Sequence, residues 1–476
     1  MPDRIASVLT VAQMVAAEQQ LFDSGTSVDA LMLRAGQGAA ALIWQISGKT
    51  PTLILCGPGN NGGDGYVIAE FLRAMGVSVT VAALAEPRTD AARNARKAYR
   101  GTIMQFADAR PQAQVIDCLF GSGLTRPIAD EVWGHFADMV RNAQRSFAID
   151  LPSGVDADRA VWLNPPLRFD HVLALGAYKF AHLLEPTASD CGALSLIDIG
   201  VTPGTCRVTR AAKPVITPPD ARSHKYRRGL VAIVAGVMRG AALLAARAAQ
   251  GTGAGYVKLI GAGAAPAMLP PDLVWERADD AQAVADRLND PRIGAVLVGP
   301  GLGRDAHASA LFEAALATPQ PLVIDADAVH LLAANIDAIA ERSAPVLLTP
   351  HHGEFTALAA TLNIGPDQFN KAASAQAAAK TLGAYLLYKG ADSVIAAPDG
   401  TAIIADRRCA WLSVAGTGDV LAGCIAARLA SHGQPLEAMA EALWLHDRAA
   451  RVAGPAFTAL QLAAALPQAV EACLER

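Results

Sequence analysis

Two glycine runs in this chain each hold an aspartate where a backbone turn can bind an anion. The first is GPGNNGGDGYVIAEFL, Gly57 to Leu72, and the second is AGTGDVLAGCIAARLA, Ala415 to Ala430. Free N–H groups at a helix start attract anions, and glycine lets a ligand approach the backbone closely. Gly57, Gly59 and Gly62 satisfy the dinucleotide pattern GxGxxG, with Glu86 placed as a ribose acid. That pattern does not need the amides of Asn60 and Asn61 or the carboxylate of Asp64; such oxygens suit a hard cation or a polyhydroxyl ligand. Asp117 precedes FGSGLTRP (Phe120–Pro127), and Asp150 opens DLPSG (Asp150–Gly154). In the second run, Gly416 and Gly418 leave amides free for phosphate. Asp419 is then placed to take a hydroxyl proton beside a transferring phosphoryl group. GPGLGRD (Gly299–Asp305), VIDADAVHLL (Val323–Leu332), TPHHGEF (Thr349–Phe355) and YKGADSVI (Tyr388–Ile395) add acids, histidines and a lysine at further apolar run ends. Plainer roles stay open: Asp150, Asp325 and Asp327 as turn acids or caps, His351 and His352 as strand-end polar groups, Lys389 as a solvated cation. Glu18 on the first helix is expected to face solvent, and no catalyst is expected there.

These residues need strands to carry them to one edge. Short apolar runs alternate with helical ones in both halves, which predicts an α/β chain with parallel sheets covered on both faces. Strands are expected at Thr52–Leu55, Val77–Leu84, Gln114–Leu119, Ser146–Ile149 and His171–Leu175. Helices are expected from Ile5 to Gln20, Gly65 to Ala74 and Asp90 to Tyr99. The segment RAAKPVITPPDAR is the expected linker, and the pattern restarts at Leu230–Val234. Further strands are expected at Tyr256–Ile260, Ala295–Val298, Leu322–Ile324, Val346–Leu348 and Tyr385–Leu387. Domain boundaries of 1–210 and 211–476 follow. In a parallel sheet, ligands bind at the carboxyl ends of the strands, so Asp117, Asp150 and Ser153 should face the Asn60–Asp64 run.

Composition bounds the function. The chain has 476 residues, 52% hydrophobic and 18% charged, with a net charge of −4. That suits two large cores and gives no footprint for nucleic acid or a membrane surface. The 7 cysteines form no CxxC pair and read as reduced, buried thiols of a cytoplasmic protein. Val452–Val470 carries no charge, yet Gly454, Pro455, Gln461 and Pro467 make it a loop and a short buried helix rather than a span.

The first half, over about Ile5–Val208, resembles the epimerase domain of the NAD(P)H-hydrate repair proteins. The resemblance rests on GPGNNGGDGYVIAEFLRAMG, VIDCLFGSGL and AIDLPSGVD after an amphipathic helix. It implies a Rossmann-like three-layer domain. It implies that Asn60, Asn61, Gly62, Gly63 and Asp64, with Gly121, Ser122, Gly123, Leu124, Thr125, Arg126 and Pro127, bind the hydrated cofactor. It implies K⁺ at Asn61, Asp117 and Ser153, and Asp150 as acid/base. The second half, over about Leu230–Leu466, resembles the ribokinase-like dehydratase domain of the same proteins. There the hydrated ring is expected near Ala241, Gly303, His351 and Asp419. The nucleotide, ADP with Mg²⁺, is expected against Lys389, Gly390, Ala391, Asp392, Ser393 and Gly418. The chain departs from the family pattern at Leu33–Gly36, in the short AGVMRGAALLA loop and at AWLSVA before GTGD. The resemblance implies NADHX and NADPHX as substrates and a homo-oligomer. The rival readings are a vitamin-precursor kinase with Asp419 as base, and a non-catalytic binding protein.

Overall fold

The computed structural model describes residues 6–267, 269–365, 370–406 and 409–474. The chain divides into two compact units, Met1–Arg210 and Ala211–Arg476.

The first unit is built on a parallel sheet. Its strands lie in the order Thr102–Gln105, Val79–Ala83, Thr52–Cys56, Gln114–Cys118, Arg145–Ile149, His171–Leu175 and Ala193–Ile197. Alternate residues of a strand point to opposite faces. Accordingly Ile54, Cys56, Ile116 and Phe147 join the core on one face, while Leu53, Leu55, Val115 and Ala148 join the core on the other. Both faces are therefore covered. The chain order reverses between the Thr52–Cys56 and Gln114–Cys118 strands, which pair in parallel with Leu55 opposite Asp117. This is the switch point of a Rossmann-like sheet, where a crevice opens at the carboxyl ends.

The helix after the first strand begins five residues earlier than the sequence suggests, at Asn60 rather than Gly65. Helix propensity disfavours Gly62, Gly63 and Gly65 by about 1 kcal/mol each relative to Ala. Close packing outweighs that cost. A Cβ on Gly62 would lie 1.9 Å from the Gly57 carbonyl oxygen, and one on Gly65 would lie 2.7 Å from Cys56 Sγ. The first helix spans Val11–Asp23, later than expected, because Thr10 caps it in a reciprocal box with Gln13. Ile5 lies outside the described residues.

In the second unit the strand order is Ala402–Ile404, Val394–Ala396, Tyr385–Tyr388, Val346–Leu348, Leu322–Ile324, Ile293–Val298, Leu230–Val234, Tyr256–Gly261 and Val274–Arg277. The expectation of parallel strands fails at one end. Val394–Ala396 pairs antiparallel with both neighbours, through a turn in which Ala397 N–H donates to the Thr401 carbonyl and Gly400 takes φ +88°. The Asp399-Gly400 pair is a hairpin signal. The expected linker is tied down on one side. Ile216 is buried in the second unit's core, and its N–H donates to the Cys473 carbonyl at 2.8 Å. Val452–Val470 ends one helix at Ala453 and begins another at Ala459, which contains Pro467. Among the described residues, no helix is long and apolar enough to cross a membrane.

Candidate active sites

The crevice of the first unit is a cavity of about 420 Å³. Asp117 and Ser153, both buried, lie outside its lining but tie the loops that form it. Asp117 Oδ1 accepts from Ser153 Oγ at 2.7 Å and Leu119 N–H at 3.0 Å, and Oδ2 accepts from Ser153 N–H at 2.8 Å. Burial pushes this carboxyl up to about 6, while the Ser153 and Leu119 donors pull it back. Ser153 Oγ also accepts from Phe120 N–H at 3.0 Å, so this one hydroxyl joins two strand-end loops.

Asp150 lines the cavity in a left-handed backbone conformation, φ +65°. A non-glycine residue there is strained, and such strain persists where the surroundings over-determine it. Here they do. Asp150 N–H donates to the Leu173 carbonyl at 2.8 Å, and its carbonyl pairs with His182 Nε2 at 2.6 Å. Its carboxylate accepts from Lys179 Nζ at 2.5 Å and from Ser122 N–H at 3.2 Å. Lys179 is fully buried, with a second bond to the Leu175 carbonyl at 2.9 Å. Burial alone would raise the Asp150 carboxyl, but the Lys179 charge and hydrogen bond, aided by the Ser122 N–H, hold it below the usual range. Burial and the Lys179 charge push His182 down to about 4, so it is neutral. Its Nδ1 accepts from Lys179 N–H at 2.9 Å, which leaves the proton on Nε2, facing the Asp150 carbonyl.

Two further carboxyls line the same cavity, Asp64 and Glu18. Asp64 is pushed well above its ordinary value by burial, then by Asp150 and Glu18. Glu18 is raised by burial and by Asp150, against the opposing charge of Lys179. The expectation that Glu18 faces solvent is thus corrected: the first helix turns it inward beside Met14 and Phe22.

The expected binding residues separate into three sets. Asn60, Asn61, Asp64, Gly121, Ser122, Gly123, Leu124 and Asp150 line the cavity. Gly62 and Gly63 are buried spacers, Gly63 lying against the Met32 side chain. Thr125, Arg126 and Pro127 are exposed and lie outside the cavity lining. Asn61 is notable because its amide oxygen and nitrogen are both buried with no hydrogen-bond partner among the described residues.

The second unit gathers its groups on three strand ends and one helix. Asp325, buried after Leu322–Ile324, accepts from Thr349 Oγ1 at 2.6 Å and Lys389 Nζ at 2.7 Å. Those partners follow the next two strands. Gly416, at φ +89°, caps the helix Thr417–His432, so Asp419 falls in its first turn. Lys389 Nζ lies 3.7 Å from where a Cβ on Gly418 would be, which brings the lysine to the same helix start. Burial first, then the charge of Asp325, pushes Asp419 up to about 6; Lys389 opposes this and Asp327 adds to it. Asp327 accepts from Gly303 N–H at 3.0 Å and from Arg304 Nε at 2.7 Å. Ala241 Cβ lies 3.1 Å from where a Cβ on Gly301 would be, so the short glycine loop meets the Gly299–Asp305 turn.

Other expected residues have local partners. His351 caps its own helix, Nδ1 accepting from Glu354 N–H at 3.2 Å. In the Lys389–Ser393 turn, Asp392 pairs with Lys371 at 2.5 Å and Ser393 Oγ donates to the Gly390 carbonyl at 2.8 Å, while Ala391 is exposed.

Comparison with known proteins bears on both halves. The family described as NAD(P)H-hydrate dehydratase matches residues 231–471, and the YjeF-related protein N-terminus matches residues 28–181. The bifunctional NAD(P)H-hydrate repair enzyme Nnr of Salinibacter ruber is 33% identical over 93% of this chain and 91% of its own. The chain belongs to the bifunctional NAD(P)H-hydrate repair enzymes. The Synechocystis protein of that name is 32% identical over 95% of this chain and 92% of its own. The solved ADP/ATP-dependent NAD(P)H-hydrate dehydratase of Bacillus subtilis, co-crystallised with ATP/Mg²⁺, is 28% identical. It covers 54% of this chain and 95% of its own, with a TM-score of 0.46.

For a repair enzyme of this family, sequence reasoning passed over Lys179 and His182. Their signal was faint: a lone lysine and histidine in AYKFAHLL after the His171–Leu175 strand, an apolar setting in which an unpaired lysine is costly.

Proposed function

We propose that residues 1–210 interconvert the R and S hydrates of NADH and NADPH, and that residues 211–476 dehydrate the S form to NAD(P)H at the expense of ADP. The observation that carries this reading is a family match over nine-tenths of the chain together with a carboxylate at each crevice. A kinase reading of the second half has no use for the first unit's cavity.

In the first unit, Asp150 acts at the hydrated carbon. The substrate is held by the Asn60–Asp64 helix start and the Gly121–Leu124 turn. The Asn61 amide beside Gly121, without a partner among the described residues, and the Asp117–Ser153 pair tied to the adjoining Phe120 suit a large monovalent cation such as K⁺: one carboxylate with neutral oxygens is too little charge for a divalent cage. Such an ion supplies charge that offsets Asp117 and fixes the turn.

In the second unit, Asp419 takes the ring hydroxyl proton as phosphoryl transfer to that oxygen begins, and loss of the phosphate from that carbon together with a proton from the adjacent ring carbon, released to solvent, restores the ring double bond. A carboxyl of about 6 is mostly ionised at neutral pH, as a base must be. Lys389 and the amides from Gly416 to Gly418 face the nucleotide phosphates. Mg²⁺ arrives on the nucleotide phosphates. The substrates are small molecules. The 7 free cysteines agree with a cytoplasmic setting.

The test supplies a mixed R and S pool with ADP. The unaltered chain should consume both forms. Asp150→Ala should stall after the S fraction, apart from slow spontaneous epimerisation; rapid full consumption by that variant would place the chemistry elsewhere.

A further inference from the structure

We propose that the epimerase cavity divides its chemistry between two aspartates: Asp64 donates a proton to the departing hydroxyl, and Asp150 remains the carboxylate that faces the ring cation. This rests on the epimerase reading above.

The geometry separates the two groups. Asp150 has a buried ammonium at 2.5 Å and a backbone N–H on its other oxygen. Asp64 lies one turn into the helix Asn60–Ala74, is 8% exposed and lines the same cavity. Among the described residues its carboxyl has no hydrogen-bond or ion-pair partner. A buried carboxylate without a donor or cation is costly, and the group avoids the cost by keeping its proton. The titratable neighbours push the same way. From the first helix Glu18 faces it, and from the Arg145–Ile149 strand end Asp150 does, both as acids. From the sheet beneath come the Cys56 and Cys118 thiols, which burial raises and keeps neutral. Lys179, the buried cation, is taken up by Asp150. Paired carboxyls whose surroundings drive their ionisation apart mark an acid and an anion.

The step balances. Hydration of an enamine places the hydroxyl on the carbon next to the ring nitrogen. Asp64 gives its proton to that hydroxyl, the C–O bond breaks, and water leaves. The nitrogen lone pair forms the C=N bond, and Asp150 offsets the positive charge. Water then adds to either face, returns a proton to Asp64, and yields the other epimer. No oxidant or further reactant is needed. Glu18 is the competing acid: burial raises it too, but the Lys179 charge opposes that rise at Glu18 and is not among the groups acting on Asp64.

The experiment follows R-to-S inversion by the full chain in ¹⁸O-labelled water, alongside Asp64→Asn and Glu18→Gln. The unaltered chain should place one labelled oxygen in the product per inversion. Asp64→Asn should lose on the order of 100-fold or more in kcat, with KM little changed and ADP-dependent dehydration of pure S hydrate intact. Inversion without label would mean that the ring opens instead, and would overturn the proposal alone. So would a loss confined to KM, a kcat within a few-fold of the unaltered chain, or a large kcat loss in Glu18→Gln only. The label measurement needs no variant and stands whether or not Asp64→Asn folds. An unaltered chain no faster than buffer would sink the epimerase reading itself.

Discussion

Replacing Lys179 with methionine should both destabilise the first unit and silence its chemistry, and the two effects have one cause. The ammonium is 1% exposed and bonds the Asp150 carboxylate at 2.5 Å and the Leu175 carbonyl at 2.9 Å. Methionine keeps the length and apolar stem but removes charge and donors. Removing one partner of a buried pair typically costs about 3–5 kcal/mol, because the other charge is left without compensation. That corresponds to about two to four orders of magnitude in the opening equilibrium. The pH dependence follows from the sign of the shift. In the unaltered chain Asp150 lies below its unfolded value, so its contribution is present at neutral pH and fades as pH falls through the folded value. Without Lys179, burial dominates and Asp150 rises above the unfolded value, so the penalty is greatest at neutral and alkaline pH and shrinks on acidification. Hydrogen exchange of peptides spanning residues 145–175 reads this unit alone. The double variant Lys179→Met with Asp150→Asn should recover most of the loss, since removing both members of such a pair is often close to neutral. A single-variant cost under about 1 kcal/mol, or a double variant no more stable than the single, would refute the account.

Asp419→Asn should lose dehydration on the order of 100-fold or more while epimerisation continues; dehydration by the unaltered chain should fall to half near pH 6 as Asp419 takes up its proton, and a flat profile there would remove it as the base. Epimerisation should weaken when K⁺ is replaced by a bulky organic cation, and Asp117→Ala should weaken cation and substrate binding together; titration of both ligands in one sample checks this. Residues 1–210 and 211–476, expressed separately, should each give a folded protein by circular dichroism and cooperative melting; insoluble halves would refute the boundary.

The sheet skeleton was legible because fully buried parallel strands read as unbroken apolar runs. Leu230–Val234 and His171–Leu175 match to the residue. The edges were not. Thr102–Gln105 and Val274–Arg277 are half-covered and mix polar with apolar side chains, so no single period marks them. The helix start at Asn60 was hidden because its stability comes from backbone contact with the sheet rather than from its own residues. Asp64, Asp117, Asp150 and Asp419 could be found from their places at turns and strand ends. What those carboxyls do depends on partners distant in sequence. Lys179 is 29 residues from Asp150 and Lys389 is 64 from Asp325, separations that no motif records.

The helix Asn60–Ala74 carries a consequence for maps of mutational tolerance. Asn60, Asn61 and Asp64 face the cavity, whereas Gly62, Gly63 and Gly65 have contacts where a methyl group would need to go. A scan of every substitution would score all six as intolerant, and the footprint inferred from it would be twice too wide. The two causes part under heat: side chains at the spacer positions should yield chains rescued by cooling or by stabilising changes elsewhere, while conservative changes at Asn61 or Asp64 should leave well-folded, inactive protein at every temperature.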